Sequence, residues 1–276
     1  MQLPGGIIKN GVRITDYGLK PMCGEFELAC CELASRFDLL PPVEVTGLLS
    51  MTLAHIGGQA ISWQEIHNMT VGDRQFLLRT LMIALEHDNC WMSSECDACN
   101  NRFDLNLTLS TLPVTQCSET FPYVEVIIDA CSYRFRAPTG ADQDKLLQRG
   151  NVSEQDILPL LLTEPDFHHQ PGATFPRCLS EYKNLIEEKI ETMAPAITSK
   201  IQTACPECSK LMVIDISPER LILQIGKNIY PEVHQIASAY HWSEAEILKM
   251  PTLRRKNYLS LIDRAKGHNQ LHHSVA

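Results

Sequence analysis

Two cysteine pairs decide how this chain folds: Cys96-Asp97-Ala98-Cys99 and Cys205-Pro206-Glu207-Cys208. Each pair has the Cys-x-x-Cys spacing of a zinc knuckle, a hairpin tip that presents two thiolates to one side. Partly alternating apolar and polar residues follow the pairs at 103–107 and 211–216, and they predict strands beside the knuckles. Two knuckles that face each other supply four thiolates, which are enough to close a tetrahedral Zn²⁺ site.

The surroundings of the two pairs form an imperfect internal repeat. An amphipathic helix pattern precedes each pair, so the order helix, strand, knuckle, strand occurs twice. Because residues 100–204 separate the pairs, a shared site would clamp two distant parts of the chain. The helical patterns consist of Phe76, Leu77, Thr80, Leu81 and Ala84 in the first half and of Tyr182, Leu185, Ile186, Ile190 and Met193 in the second.

Two other interpretations of the pairs stay open at this point. A Cys-x-x-Cys can be a redox dithiol, but that motif belongs to a thioredoxin-like setting, and here strands flank it. The pairs can also be accidental among 11 cysteines, although the repeated context argues against chance. We predict one structural Zn²⁺ per chain, because four thiolates leave no open coordination position for catalysis. The predicted ligands are Cys96, Cys99, Cys205 and Cys208, and the predicted non-ligands are Cys23, Cys30, Cys31, Cys90, Cys117, Cys131 and Cys178.

Length and charge narrow the functional class. The chain has 276 residues, of which 44% are hydrophobic, and a net charge of −9. Such a chain can bury a substantial core, whereas its acidic excess disfavours nucleic-acid and membrane-surface binding, which use Lys and Arg. No apolar run approaches the length of a membrane span, and the first residues lack a signal-peptide pattern. An odd number of cysteines without an export signal favours a reducing cytoplasm.

The predicted fold class is α+β. We expect a mostly helical chain with a four-stranded zinc-ribbon-like module, made of the two knuckles, and with small β-hairpins. The expected parts are an N-terminal hairpin and helical cluster (1–88), the module (89–110 and 196–217), an inserted strand pair with helices (111–195) and a C-terminal helical segment (218–276).

Turn and cap signals predict the individual elements. Asn10-Gly11 predicts a tight turn between strands at 7–9 and 12–15, because both positions tolerate positive φ. A helix is predicted after Pro41-Pro42, with an apolar face that reaches Ile56. The other predicted elements are helices at 24–34, 142–148, 153–162 and 179–193, strands at 123–128 and 132–136, capping boxes at Ser62 with Glu65 and at Ser243 with Glu246, and a surface loop at 163–177 that contains His168-His169.

The sequence carries no recognisable catalytic motif. It has no Gly-rich phosphate loop, no nucleophile elbow and no His-Glu-x-x-His. A metal- or thiol-dependent enzyme would need an open coordination position, and the pattern indicates none. We therefore expect a protein that is not an enzyme and has no small-molecule substrate.

Several blocks of the sequence resemble one protein family. The most specific block runs over 239–248, with an aromatic-Trp-Ser-x-x-Glu-Ile-Leu core, and Pro251 and a basic-aromatic helix follow it. Further blocks are Ile229-Tyr230-Pro231-Glu232-Val233-His234, Leu3-Pro4-Gly5-Gly6, Leu19-Lys20-Pro21-Met22-Cys23-Gly24-Glu25 and Asp73-Arg74-Gln75-Phe76-Leu77-Leu78. Together they resemble baseplate proteins of contractile-tailed T4-like phages and of phage-tail-like contractile injection systems, related to baseplate hub assembly proteins. The chain departs from the family at Cys23, where a Thr or a similar residue is expected.

The resemblance implies that the protein builds a tail baseplate and does not catalyse a reaction. Some members of the family are assembly chaperones absent from the finished particle and others are hub parts, and both roles stay open. The implied partners are other baseplate, hub or tail proteins, and the implied location is the bacterial cytoplasm during assembly or the phage-like particle. The competing class is a zinc-ribbon nucleic-acid-binding or transcription adaptor protein, which the acidic balance disfavours.

The C-terminal block also predicts a partner-binding segment. Aromatic and Arg side chains are enriched where interfaces carry their energy. The alternative is that these aromatics are core residues and the cations a solvated helix face. Because the resemblance is strongest here, we predict docking to a baseplate or hub component, with the basic run steering an acidic partner and with charge reversal leaving the fold intact. The segment consists of Tyr240, Trp242, Arg254, Arg255, Lys256 and Tyr258.

Overall fold

The computed structural model of the protein describes residues 1–129, 131–150, 156–165 and 181–273, with side chains up to Ala265 except at 164 and 165. Four predictions fall outside this part of the chain. They are the start of the helix predicted at 153–162, the loop that contains His168-His169, the start of the helix predicted at 179–193, and the assignment of Cys178.

Twelve strands of the described chain form five small antiparallel sheets. The first sheet contains β1 (Gln2–Lys9), β2 (Val12–Leu19) and β3 (Leu53–Ile56). Three two-stranded sheets pair β4 (Asn89–Glu95) with β5 (Arg102–Thr108), β6 (Val114–Thr115) with β10 (Ala196–Ile197), and β11 (Lys200–Ala204) with β12 (Leu211–Asp215). The fifth sheet contains β7 (Tyr123–Ile128), β8 (Cys131–Arg136) and β9 (Leu162–Pro165).

Eleven α-helices of the described chain surround these sheets, which confirms the α+β class. The four strands of the predicted module form, but as two separate hairpins and not as one sheet. The helices are α1 (Gly24–Ala34), α2 (Pro42–Thr52), α3 (Trp63–His67), α4 (Val71–Ala84), α5 (Gly140–Arg149), α6 (Ile157–Leu161), α7 (Lys183–Met193), α8 (Pro218–Leu221), α9 (Ile229–Tyr240), α10 (Glu244–Leu248) and α11 (Thr252–His273).

The structure contains the hairpin turn and the helix caps that were predicted from residues close together in the sequence. Asn10 and Gly11 have φ values of 53° and 76°, as the predicted hairpin turn requires. Both predicted capping boxes form, and their Ser side chains accept the N–H of the Glu three residues later. A further capping box, which the sequence analysis missed, joins Thr139 and Asp142 at the start of α5.

Two predicted helices are too long, and a strand replaces the end of each. The helix expected to reach Ile56 ends at Thr52, and the next four residues pair with β2 as β3. The helix expected to reach residue 162 ends at Leu161, and Leu162 begins β9 beside β8. The first prediction was wrong because the apolar run Leu53–Ile56, next to the unpaired edge of β2, gains hydrogen bonds by extending, which local periodicity does not reveal. The second differs from the structure by one residue, and the first residues of the loop predicted at 163–177 belong to β9.

Three hydrophobic clusters organise the packing of the described residues. The first lies between the N-terminal sheet, α1, α2, α4 and the bases of the β4–β5 and β11–β12 hairpins. The second joins β7 and β8 to α6 and α7, and the third joins α9, α10 and α11. Residues 221–225, which the sequence analysis grouped with the C-terminal helices, pack in the first cluster.

A buried carboxylate fixes the N-terminal strand against the start of α4. Asp73 has no exposed surface and accepts the N–H of Gly5 at 2.8 Å, the N–H of Gly6 at 3.0 Å and the hydroxyl of Thr70 at 2.8 Å. Beside it, a Cβ on Gly72 would lie 1.8 Å from the carbonyl oxygen of Pro195, so only glycine fits. This junction brings together two of the blocks that carry the family resemblance, and burial raises the pKa of Asp73 from 3.8 to about 6 although its donors lower it.

We expect Asp73→Asn to lower the free energy of unfolding by about 1–3 kcal/mol, because the amide group turns a donor toward donors. Asp104→Asn, at an exposed position, should stay within about 0.5 kcal/mol of wild type. The raised pKa means that ionisation of Asp73 opposes folding, so the advantage of wild type over Asp73→Asn should shrink as the pH rises from about 4 to 6. Urea unfolding at several pH values measures both effects, and equal costs for the two variants would contradict the assignment.

Candidate metal centre

The first knuckle is the tip of the β4–β5 hairpin. The N–H of Cys96 donates to the carbonyl of Asn101 at 2.9 Å, and the N–H of Asn100 donates back to the carbonyl of Cys96 at 2.8 Å. Asn100 has a φ of 56°, which Asn tolerates better than most residues. This tight turn places the side chains of Cys96 and Cys99 together.

The second knuckle, at the tip of the β11–β12 hairpin, repeats the same bonds. The N–H of Cys205 donates to the carbonyl of Lys210 at 2.9 Å, and the N–H of Ser209 donates to the carbonyl of Cys205 at 2.9 Å. Ser209 has a φ of 60°, and so it matches Asn100 of the first knuckle. The predicted repeat therefore extends to the hydrogen bonds of the two tips.

The two tips face each other, and their four sulfur atoms form one cluster. The Sγ atoms of Cys96 and Cys208 are 3.6 Å apart, and those of Cys99 and Cys205 are 3.7 Å apart. All four Sγ atoms lie within 4.8 Å of one another. A tetrahedral Zn–S distance of about 2.3 Å gives sulfur–sulfur edges of roughly 3.8 Å, whereas a disulfide bond is about 2.05 Å long. The residues predicted from sequence therefore come together in a geometry that can hold a metal ion.

The electrostatics of the cluster favour a bound cation. The backbone N–H groups of Ala98 and Cys99 lower the pKa of Cys96 to about 7. The N–H of Asn101 also lowers the pKa of Cys99, but desolvation and the three neighbouring thiols outweigh it and raise that pKa to about 12. Four thiols this close cannot all ionise alone, and a divalent cation removes their mutual repulsion.

Among the described residues, no other cysteine belongs to a group of three or more metal-ligating side chains. Cys30 and Cys90 are buried in the first hydrophobic cluster, where burial raises the pKa of each thiol. Cys131 is exposed at the start of β8. A salt bridge of 2.9 Å between Lys210 and Asp97 links the two knuckles beside the sulfur cluster, but both side chains are exposed and such pairs contribute little.

The aromatic residues of the predicted partner segment pack on one another. The ring centroids of Tyr240 and Trp242 are 4.9 Å apart, and the ring of Tyr258 meets both edge-on at 5.4 and 4.9 Å. All three side chains are half-buried against the third hydrophobic cluster. Arg254 is exposed, with its guanidinium 5.8 Å from the centre of the Tyr258 ring.

Arg255 requires a correction, because it is fully buried and does not belong to a solvated helix face. Its guanidinium lies 2.6 Å from the carboxylate of Glu27 in α1 and 3.3 Å from that of Glu232 in α9, and it donates to the carbonyl of Met250. A Cβ on Gly24 would lie 2.8 Å from Nη1 of Arg255. The expectation that charge reversal here leaves the fold intact was therefore wrong.

Lys256, the third residue of the basic run, is exposed and forms an ion pair of 2.5 Å with Glu86. Sequence reasoning missed these pairings because Glu27 and Glu86 are more than 150 residues away along the chain. Of the basic run, Arg254 alone keeps its charge free for a partner among the contacts of the described residues.

Comparisons of the chain with protein-family models, with curated proteins and with solved structures found no match. The family resemblance therefore depends on the sequence blocks quoted above. Within the described residues, no helix is both long and apolar enough to cross a membrane.

For the metal centre, we expect protein purified without chelator to contain one zinc ion per chain by elemental analysis. Cys205→Ser should lower the melting temperature by at least about 5 °C and lower solubility, because metal affinity is part of the folding free energy. Cys131→Ser, which changes an exposed thiol outside the cluster, should melt like wild type. A metal-free wild type, or a Cys205→Ser variant that melts unchanged, would contradict the assignment.

For the basic run, we expect two charge reversals to behave differently. Arg255→Glu should destabilise the fold by about 3–5 kcal/mol, because it puts a third carboxylate beside Glu27 and Glu232. Arg254→Glu should change the free energy of unfolding by less than about 0.5 kcal/mol. Guanidinium unfolding curves of both variants test this, and equal stabilities would show that Arg255 is not held by these pairs.

Proposed function

We propose that the protein is a non-enzymatic structural or assembly component, chaperone-like in the latter case, of a phage-like contractile tail or injection-system baseplate. The observation that carries the proposal is that the blocks resembling this family meet in space. The block with Gly5 contacts the block with Asp73, and the block with Gly24 contacts the helix that holds Arg255. Blocks that are far apart along the chain therefore contact one another at two buried junctions.

The proposed role of the metal is structural, and the proposed ion is Zn²⁺. Tetrahedral sites made of four thiolates select zinc or iron–sulfur chemistry, and zinc is the usual ion of facing knuckles. Such a site uses every coordination position for the protein. The ion would join the hairpin of Cys96 to that of Cys205, and it would have no coordination position left for a substrate.

The proposed partners are other baseplate, hub or tail proteins, met in the bacterial cytoplasm during assembly. The C-terminal helices α9, α10 and α11 would dock them, through the aromatic group of Tyr240, Trp242 and Tyr258 and the free charge of Arg254. The third hydrophobic cluster supports this, because it makes these helices a unit with a core of their own. Both a transient chaperone and a permanent baseplate part fit this geometry.

A zinc-ribbon nucleic-acid adaptor is the second candidate, which the pair of zinc knuckles favours. Charge counts against it. The residues of the module, 89–110 and 196–217, carry five acidic side chains and three basic ones. Four thiolates and one Zn²⁺ would add two further negative charges, so the tips would repel phosphate.

We expect deletion of the gene in its host to abolish complete contractile tails in electron micrographs of cell extracts. Wild type and Cys131→Ser supplied in trans should restore them, and Cys205→Ser should not, because the clamp between the two halves would be lost. Complete tails in the deletion strain would overturn the baseplate proposal.

Fluorescence anisotropy with duplex and single-stranded oligonucleotides separates the two candidate functions. A nucleic-acid adaptor would bind at low salt and lose affinity steeply as the salt concentration rises. The baseplate proposal expects no binding at any salt concentration. Salt-dependent binding by zinc-loaded protein would favour the adaptor.

A further inference from the structure

The four cysteine residues of the cluster differ in exposure, which a purely structural site does not need. Cys96 and Cys205 are buried, with 0% and 1% of their surface exposed. Cys99 and Cys208 are exposed. Each knuckle therefore has one cysteine residue that is exposed and one that is buried.

Two of the close sulfur contacts cross between the knuckles, and each of them joins an exposed cysteine to a buried one. Exposed Cys99 lies 3.7 Å from buried Cys205, and exposed Cys208 lies 3.6 Å from buried Cys96. A cysteine on the surface thus lies next to a cysteine that the protein buries. This is the arrangement of redox-sensing cysteines, in which an accessible thiolate is oxidised and a neighbouring thiolate resolves it.

We propose that the cluster is a peroxide-sensitive clamp, in which oxidation releases the metal and joins the knuckles by two disulfides, Cys99–Cys205 and Cys96–Cys208. The proposal rests on the zinc site of the proposed function. The oxidant class is a hydroperoxide, with hydrogen peroxide as the probe. The exposed cysteines are the reacting groups, because bound Zn²⁺ would hold them as thiolates, and the buried cysteines are the resolving groups.

The chemistry takes place in two steps at each pair. The exposed thiolate attacks one peroxide oxygen and the O–O bond breaks, which gives a sulfenic acid and, with one proton, water. The buried thiolate then attacks the sulfenic sulfur, which forms the S–S bond and releases hydroxide, protonated to water. Two peroxides oxidise four thiolates, consume four protons, and yield two disulfides, four waters and free Zn²⁺.

The first disulfide is enough to release the ion, because it removes two of the four ligands. The choice of cysteines that form the disulfides decides whether the two hairpins stay joined. Disulfides within each knuckle would separate the hairpins, whereas disulfides between them keep the hairpins of Cys96 and Cys205 joined. The oxidised protein therefore exchanges a metal clamp for a covalent one.

Trypsin provides a direct readout, because it cleaves after Arg79, Arg102, Lys200 and Lys210. One knuckle then lies in peptide 80–102 and the other in peptide 201–210. Zinc content is measured first by elemental analysis. The loaded protein is then treated with graded hydrogen peroxide, released zinc is followed with a chromogenic chelator, and the free thiols are alkylated before non-reducing digestion and mass spectrometry.

We expect zinc to be released after about one peroxide per chain and about two peroxides to be consumed in total, together with a linked peptide of 80–102 and 201–210 that separates on reduction. Fragmentation should place the links at Cys99–Cys205 and Cys96–Cys208. Cys131→Ser should release zinc at the wild-type rate, since its thiol is exposed but outside the cluster. In Cys205→Ser, a sulfenic acid at Cys99 should persist long enough to be labelled with dimedone.

The possible results are distinguishable. Protein without zinc would contradict the metal assignment of the proposed function. Zinc-loaded protein that forms disulfides within peptides 80–102 and 201–210, or that keeps its zinc until it unfolds, would overturn the clamp proposal alone. Loss of zinc release in Cys131→Ser would also overturn it, because the reacting thiol would then lie outside the knuckles.

Discussion

Four sulfur atoms meet at the tips of two hairpins that residues 100–204 separate along the chain, and a metal ion bound there would join them. The hairpins are two-stranded sheets, which are marginally stable alone. A structural zinc contributes on the order of 10 kcal/mol in small zinc-finger peptides, comparable to the whole stability of a typical domain. Because the bases of both hairpins pack in the first hydrophobic cluster, joining their tips also fixes the helices around them.

Two buried charged side chains fix how the elements at both ends of the chain are oriented on the helices beneath them. Asp73 fixes the N-terminal strand on α4, and Arg255 fixes the C-terminal helices on α1. Apolar contacts alone would allow these surfaces to slide. A buried charge with several hydrogen bonds allows one arrangement, because any other leaves it unpaired in a medium of low dielectric constant. Such contacts add little net stability, but they destabilise the alternative arrangements, in which the buried charge would be unpaired.

The sequence revealed the four cysteines of the cluster because their signal is local and repeated. Each Cys-x-x-Cys sits in a hairpin whose strands alternate in polarity, and nothing distant is needed to recognise it. The hairpin turn at Asn10-Gly11 and the capping boxes could be predicted for the same reason. Their geometry depends on residues at most a few positions apart.

What could not be predicted depends on partners far along the chain. The ends of α2 and α6 became known only once β2 and β8 were seen beside them. Arg255 looks like one of three solvated cations until Glu27 is placed against it. The cross-pairing of exposed with buried thiols also required coordinates, because both knuckles read identically as sequence.

The short pairing of β6 with β10 has a further consequence for how the chain is built. Val114 pairs with Ile197 and Thr115 with Ala196, so the two ends of the segment between them lie side by side. That segment has a hydrophobic cluster of its own, made by Phe121, Phe135, Ile186 and their neighbours. It is therefore a cassette whose ends are already joined, and the entropy of closing it changes only slowly with its length. Its described residues also bond to the host, since the N–H of Val71 donates to the carbonyl of Pro138 and the N–H of Gly140 donates to that of Met69. Changes in the length of the cassette therefore leave the host fold unaltered only where they spare these contacts.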